Sequence, residues 1–221
     1  MKKPHVFPHT TWAAKSLWSI EFKSLSVLLC ALTSIGFGEG LLLLSDLGSA
    51  PWTVLSQGVA TQGQFSVGWA SWMISLIVML AWFPLKLKPG LATVINIFVI
   101  AFVLGVTTYL LPKPTALYAR FAYAIVGILL FGIGTAFYLT CHQGSGPRDG
   151  LMVGLCQHFH WKIGIVRTSI EVLVCMFGFL LGGVLGIGTL MFAFGIGWVV
   201  QYTLFFISRV PYFRHKTDNV I

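Results

Sequence analysis

Charge is what this sequence has least of. Its 221 residues hold only 14 Lys and Arg and 6 Asp and Glu, 9% in all. A soluble domain usually carries about 25% charged residues, so a solvated globular surface is excluded. Cysteine is scarce too: Cys30, Cys141, Cys156 and Cys175 fall in or near apolar runs without framework spacing. That excludes a disulfide-stapled scaffold, and the four read as small buried apolar residues. Cys141-His142, Cys156, His158 and His160 match no familiar zinc spacing, and no metal is expected. The sequence lacks HExxH, GxSxG and paired carboxylates on one span. No catalytic residue and no cofactor are therefore assigned, and an enzyme is not expected. A secretory signal is not evident either, because the first 24 residues are largely polar and the first apolar run is too long for an h-region. The net charge of +8 makes no patch, which argues against a nucleic-acid partner.

What is present is apolar length. Hydrophobic residues make up 57% of the chain and its mean hydropathy is +0.86. Crossing a bilayer takes about 20 such residues. The run 25–44 is interrupted only by Glu39, and the runs 67–85, 91–111, 121–141 and 172–208 carry no charge. The class is an all-α polytopic membrane protein, with the lipid bilayer as its surroundings.

The chain also repeats itself. A shift of 96 residues lays Gly36-Phe-Gly38 on Gly132-Ile-Gly134 and Gly48-Ser-Ala-Pro51 on Gly144-Ser-Gly-Pro147. Leu55, Gly58, Gly68, Gly90 and Thr93 fall on Leu151, Gly154, Gly164, Gly186 and Thr189 without a gap. Matched Gly and Pro mark matched backbone geometry, so the copies are expected to share one fold. Residues 1–23 read as a cytoplasmic amphipathic segment, a short surface helix with Trp12, Leu17, Trp18 and Ile20 among its lysines. Membrane repeat 1 covers 24–112, with spans at 24–44, 67–86 and 90–111 and a short helix at 50–62. Membrane repeat 2 covers 120–208, with spans at 120–140, 163–182 and 186–208 and a short helix at 146–158. A basic cytoplasmic tail, 209–221, follows.

Helices of about 12 residues are too short to cross, and read as re-entrant or interfacial. Each repeat then has three spans, an odd number, so the repeats must be inverted. With both termini inside, only Lys113 and Arg120 lie outside, leaving 12 of the 14 basic residues inside. An eight-span chain leaves 11 inside, so helix length rather than charge favours six.

Duplicated units with interrupted helices are the usual build of secondary transporters, whose substrate sits between the copies. The candidate substrate-binding residues are the paired turns, Ser49 and Pro51 with Ser145, Gly146 and Pro147. Ser can cap a helix N-terminus and Pro suits its first turn, so two short helices would offer free N–H groups to an anionic or polar solute. Starting two helices and nothing more is the plainer reading of the same turns. Arg148, Asp149 and Arg167 join the set, and Glu171, near the middle of its span, is the candidate coupling residue. Bridges that merely hold helices together, Arg167–Asp149 or Arg148–Glu171, are the structural alternative. The repeat mates of these four are Trp52, Thr53, Ser71 and Ser75, so the charge is not duplicated. Asp46 reads as a solvated loop acid. Gly36 and Gly40, and Gly178 and Gly182, form GxxxG pairs that suit helix packing, including a homo-oligomer face.

Residues 47–58, 144–151 (Gly-Ser-Gly-Pro-Arg-Asp-Gly-Leu), 163–171 and the closing Gly186-Ile-Gly-Thr189 resemble the YczE-like bacterial integral membrane proteins. The resemblance spans about residues 24–208. It implies the bacterial cytoplasmic (inner) membrane and brings no established substrate. The family's first-repeat motif often reads Pro-Trp-Asp, where Thr53 stands here. The function expected is a secondary transporter for a small polar or anionic solute, with proton coupling as an option. The alternative is a non-transporting partner or regulatory subunit of another membrane protein.

Overall fold

The structure, a computed structural model, describes residues 10–161 and 163–210, without the side chains of residues 163 and 164. Residues 1–9 of the N-terminal segment, Lys162 and the tail beyond 210 lie outside the described residues. Eight helices account for most of the described chain: α1 (Phe22–Leu44), α2 (Pro51–Gly63), α3 (Val67–Leu80), α4 (Leu91–Leu110), α5 (Leu117–Leu139), α6 (Pro147–Phe159), α7 (Ile163–Leu180) and α8 (Ile187–Arg209). Helix is what an apolar segment must adopt in lipid, because it satisfies every backbone group within the segment. Four helices, α1, α4, α5 and α8, are each long and apolar enough to cross a membrane. α2 and α3 pass that test only together, as a pair bent by 113°.

The short helices match the sequence reading to within a residue at each end. Pro51 and Pro147 start them, and Gln64 and His160, both left-handed, stop them. Their N-caps, however, are Ala50 and Gly146, and neither makes a side-chain capping bond. Ser49 and Ser145 stand one residue too early to cap. The span expected at 67–86 is also shorter. α3 stops at Leu80, ahead of Pro84, and the chain turns so that buried Trp82 points inward and donates to the Pro147 carbonyl at 3.0 Å.

The 96-residue repeat runs through the backbone. Eight described residues have positive φ, and they form four pairs at that spacing: Asp46/His142, Gly48/Gly144, Gln64/His160 and Lys86/Gly182. Contacts between the halves are reciprocal. Gly188 N–H donates to the Leu47 carbonyl at 2.7 Å, and its mate Ala92 N–H donates to Gln143 at 3.1 Å. Gly38 of α1 packs on Gly127 of α5, while its mate Gly134 packs on Ala31, the mate of Gly127. Together with Ser34, whose hydroxyl meets the Leu130 carbonyl, these pairs show α1 and α5 crossing antiparallel. A Cβ at Gly38 would fall 2.5 Å from the Gly127 carbonyl oxygen, so only glycine permits this approach.

Apolar cores fill both ends of the crossing. One gathers Trp12, Leu28, Leu32, Ala92, Tyr138 and Ile207; the other gathers Leu42, Ala50, Ala124, Ile128, Phe192 and Ile196. Phe98, Phe102, Tyr109, Phe194, Trp198 and Phe205 point outward, as a lipid solvent allows.

Two expectations change here. Residues 10–21 form no α-helix. Trp12, 5% exposed, instead tucks against Phe137 and donates its indole N–H to Thr140 Oγ1 at 3.1 Å. Its hydrogen bond and its packing outweigh a surface position for that one ring, while Trp18 and Ile20 stay exposed. The GxxxG faces are also taken up within the chain. Gly36 and Gly40 receive Val103 and Thr107 of α4, and Gly178 receives Leu55 of α2. Those stripes therefore join helices of one chain.

Candidate functional site

The two Gly-Ser-x-Pro turns part company in the structure. Residues 47–50 pack on the start of α8, and residues 143–146 on the start of α4. At the second turn the Ser145 carbonyl accepts from Thr93 Oγ1 at 2.7 Å, and Thr93 also accepts from Gly90 N–H. Gly146 abuts Asn96, and the Pro147 carbonyl is held by Trp82. The first turn is less complete. Ser49 Oγ and Thr189 Oγ1, the mates of Ser145 and Thr93, are buried with no hydrogen-bond partner. Pro51 is buried at the start of α2.

What does meet is the second residue of each short helix. The Arg148 guanidinium of α6 stacks over the ring of its own repeat mate, Trp52 of α2, at 5.4 Å. This contact between mates joins the two halves. From there Arg148 hydrogen-bonds into the first half. Its Nη1 donates to Glu39 Oε1 of α1 at 3.2 Å, and its Nη2 donates to Ser71 Oγ of α3 at 3.2 Å. The Glu39 side chain is 1% exposed and Arg148 20%. Thr53, one residue beyond Trp52, stands beside this carboxylate, close enough for its hydroxyl to interact with it. Glu39 Oε2 and Thr53 Oγ1 are both buried, and neither closes a hydrogen bond of ordinary geometry. An ion pair out of water is costly unless its remaining lone pairs are satisfied, and here one carboxylate oxygen is not.

A second ionic group lies toward the surface of α7. Arg167 Nε donates to Glu171 Oε1 at 2.9 Å across one helical turn, with side chains 55% and 32% exposed. Asp149 lies within electrostatic reach of Arg167, Arg148 and Glu171. Asp149 thus links the four charged residues singled out in the sequence electrostatically. Their pairing differs from every bridge expected. Arg167 takes its own-helix neighbour, and Arg148 takes Glu39 from the other half.

Glu39 is the residue that sequence reasoning missed. In the sequence it stands out only as the one charge that interrupts the first apolar run. A carboxylate inside a membrane helix was itself the available signal. Asp46 is less free than a loop acid: Arg120 holds it at 2.9 Å and also donates to the Ser45 and Asp46 carbonyls at 2.7 and 2.6 Å. Gln57 and Gln62 tie α2 to the loop after α7, through Val184 N–H and the Leu181 carbonyl. Cys141, just past α5, is buried with its thiol against the Ser24 and Phe137 carbonyls. Burial pushes that thiol up to about 12, so it stays protonated and unreactive.

A family of unknown function (DUF6198) matches residues 22–204, from the start of α1 to the last turns of α8. The chain belongs to that family. The match takes in all eight helices and both halves of the Arg148–Glu39 pair. An uncharacterized protein of Haemophilus influenzae is 57% identical over 97% of this chain and 99% of its own length. The uncharacterized membrane protein YczE of Bacillus subtilis is 24% identical, covering 85% of each chain. A second uncharacterized protein of Bacillus subtilis, YyaS, is 28% identical over 71% of this chain and 80% of its own. These relatives place the chain among YczE-like membrane proteins. No solved structure matches.

Proposed function

We propose that this family member is a secondary transporter that moves a small polar or anionic solute through a site between two inverted repeats. The observation that carries the reading is Arg148: a guanidinium supplied by one half, set among three helices of the other, and neutralised by a carboxylate. A charge pair inside a membrane protein normally marks a solute or ion pathway. Placed where two halves meet, it sits where rocking of one half against the other would open it alternately to either side.

The antiparallel crossing of α1 and α5 supports the inversion. If both cross the bilayer, equivalent helices point opposite ways. The bent α2–α3 pair then serves as the return crossing within the first repeat, and we assign its mates, α6 and α7, the same role in the second. Both termini lie inside, in the bacterial cytoplasmic membrane. A reporter fused after Pro112 should then read external and one fused after Lys88 internal; an internal signal after Pro112 overturns the inversion. For transport itself, metabolite profiling of a deletion strain names candidate solutes, and uptake of those solutes into proteoliposomes decides. Protein-dependent uptake lost in Arg148→Gln supports the reading. Absence of uptake for every solute whose level shifts in the deletion strain overturns it.

A further inference from the structure

We infer that Arg148 binds a small carboxylate in exchange for Glu39, with one proton taken up by Glu39 as the ligand enters. The inference rests on the transport reading for its purpose, but concerns binding and is tested as binding. The resting partner of Arg148 is itself a carboxylate, so the ligand that replaces it at the same nitrogen carries the same group. Leaving Glu39 ionised and unpaired in a buried place would be far costlier than protonating it. Its free oxygen already has an acceptor waiting. The Thr53 hydroxyl interacts with this carboxyl, and Glu39 Oε2 and Thr53 Oγ1 are both buried without a hydrogen bond of ordinary geometry, so a proton on the carboxyl has Thr53 to point to.

Of the acids near Arg148, Glu39 is the one hydrogen-bonded to it. α4, which packs on α1, carries only Tyr109, 87% exposed, and α5 carries Arg120, engaged by Asp46, with Tyr118, Tyr123 and Tyr138. Tyr138 lies at the far end of α5, near Gly146 and Asp149. α2 and α3 contribute the hydroxyls of Thr53 and Ser71, and α6 contributes Arg148 with Asp149 next to it. Glu171 is neutralised on its own helix by Arg167, which leaves it outside the exchange.

The step balances. Before binding, the guanidinium and the Glu39 carboxylate form a neutral pair. After binding, the guanidinium and the ligand carboxylate form the neutral pair, and Glu39 is a neutral acid. One proton and one anion enter together, and the site's net charge does not change. Release reverses both, which makes the cycle an electroneutral symport of a proton and a carboxylate.

Acetate, the detached end group of a Glu side chain, is the probe. Its binding to the purified full-length protein is read as stabilisation against heat, with sodium chloride as the salt control, between about pH 6 and about pH 8. Both lie above the ordinary carboxylate range, so acetate itself stays ionised. The wild type should bind acetate about tenfold more tightly for each unit of acidification, the signature of one linked proton. Glu39→Gln, which mimics the protonated acid, should bind at both pH values with no such dependence. Glu171→Gln should behave as wild type. The double variant Glu39→Gln/Arg148→Gln leaves no lone buried charge that would threaten folding, and should not bind. Acetate binding that ignores pH in the wild type, or that survives in the double variant, overturns the inference, as does no binding to Glu39→Gln. If this pattern holds and proteoliposomes show no flux, the site stands and the transport reading falls. If flux exists without the linkage, the reverse is true.

Discussion

The two halves of this protein share a backbone and divide the chemistry. At four matched places both take a positive φ, and at the central crossing both bury glycine. Their polar side chains follow no such rule. Arg148 faces Trp52, Glu39 has Thr135 as its mate, and Ser71 has Arg167. Even the same job is done differently. The end of α1 is closed by Arg120, which holds two carbonyls and Asp46. The end of α5 is closed by the N-terminal segment, through Thr10 and Trp12 on Thr140 and Ala14 N–H on Cys141. Backbone geometry is set by close approach, which tolerates little change once two copies interlock. Side-chain partners can diverge as long as each charge finds one.

The sharpest way to break this comparison is to treat mates alike. Glu39→Leu should cost about 3–5 kcal/mol, because it strands Arg148 in a largely buried place. Thr135→Leu, at the mate position, should cost under about 1 kcal/mol, since Thr135 bonds only the Phe131 carbonyl of its own helix. Thermal unfolding of the purified protein in detergent measures both. Equal losses would mean that the ion pair does not distinguish the halves.

The backbone makes the opposite prediction. Gly38→Ala and Gly134→Ala should each cost about 1–3 kcal/mol from overpacking, and by similar amounts. A loss at one and not the other would break the reciprocity of the crossing. Capping gives a smaller effect. Arg120→Met should cost about 1–2 kcal/mol and Thr140→Val about 1 kcal/mol, each by freeing buried polar groups at a helix end. If Arg120→Met leaves the unfolding temperature unchanged, the α1 end does not depend on that guanidinium. Smallest is a rate effect without a stability change. Near neutral pH, maleimide should label Cys141 far more slowly than Cys156, since the Cys141 thiol titrates only at about 12. Mass spectrometry of the labelled sites decides, and equal rates would show the thiol to be accessible and ionising.

How much of this could be read from the residues depended on the range of the interaction. The short helices at 50–62 and 146–158 fall within one residue of α2 and α6, because Pro starts a helix by its fixed φ and missing N–H wherever it stands. The span expected to 86 ends at Leu80, because Trp82 finds its acceptor, the Pro147 carbonyl, 65 residues away. Trp12 sits in a pattern that reads as amphipathic, yet its ring docks under a loop 128 residues on. Glu39 reads as a lone charge in an apolar run, and its partner Arg148 comes from α6, 109 residues away.

By itself the sequence determined the medium, the duplication and the turns. Those follow from residue properties that act locally: apolar length against bilayer thickness, the ring of proline, and the missing Cβ of glycine. Only the tertiary structure decided which charges pair, which serine stays unpartnered, and which glycines join helices of one chain. Those outcomes depend on what the folded halves bring within about 3 Å of one another, the reach of a hydrogen bond. Hydropathy, spacing and mates at a fixed offset name the groups that must find partners in the membrane. They do not say which partner arrives first.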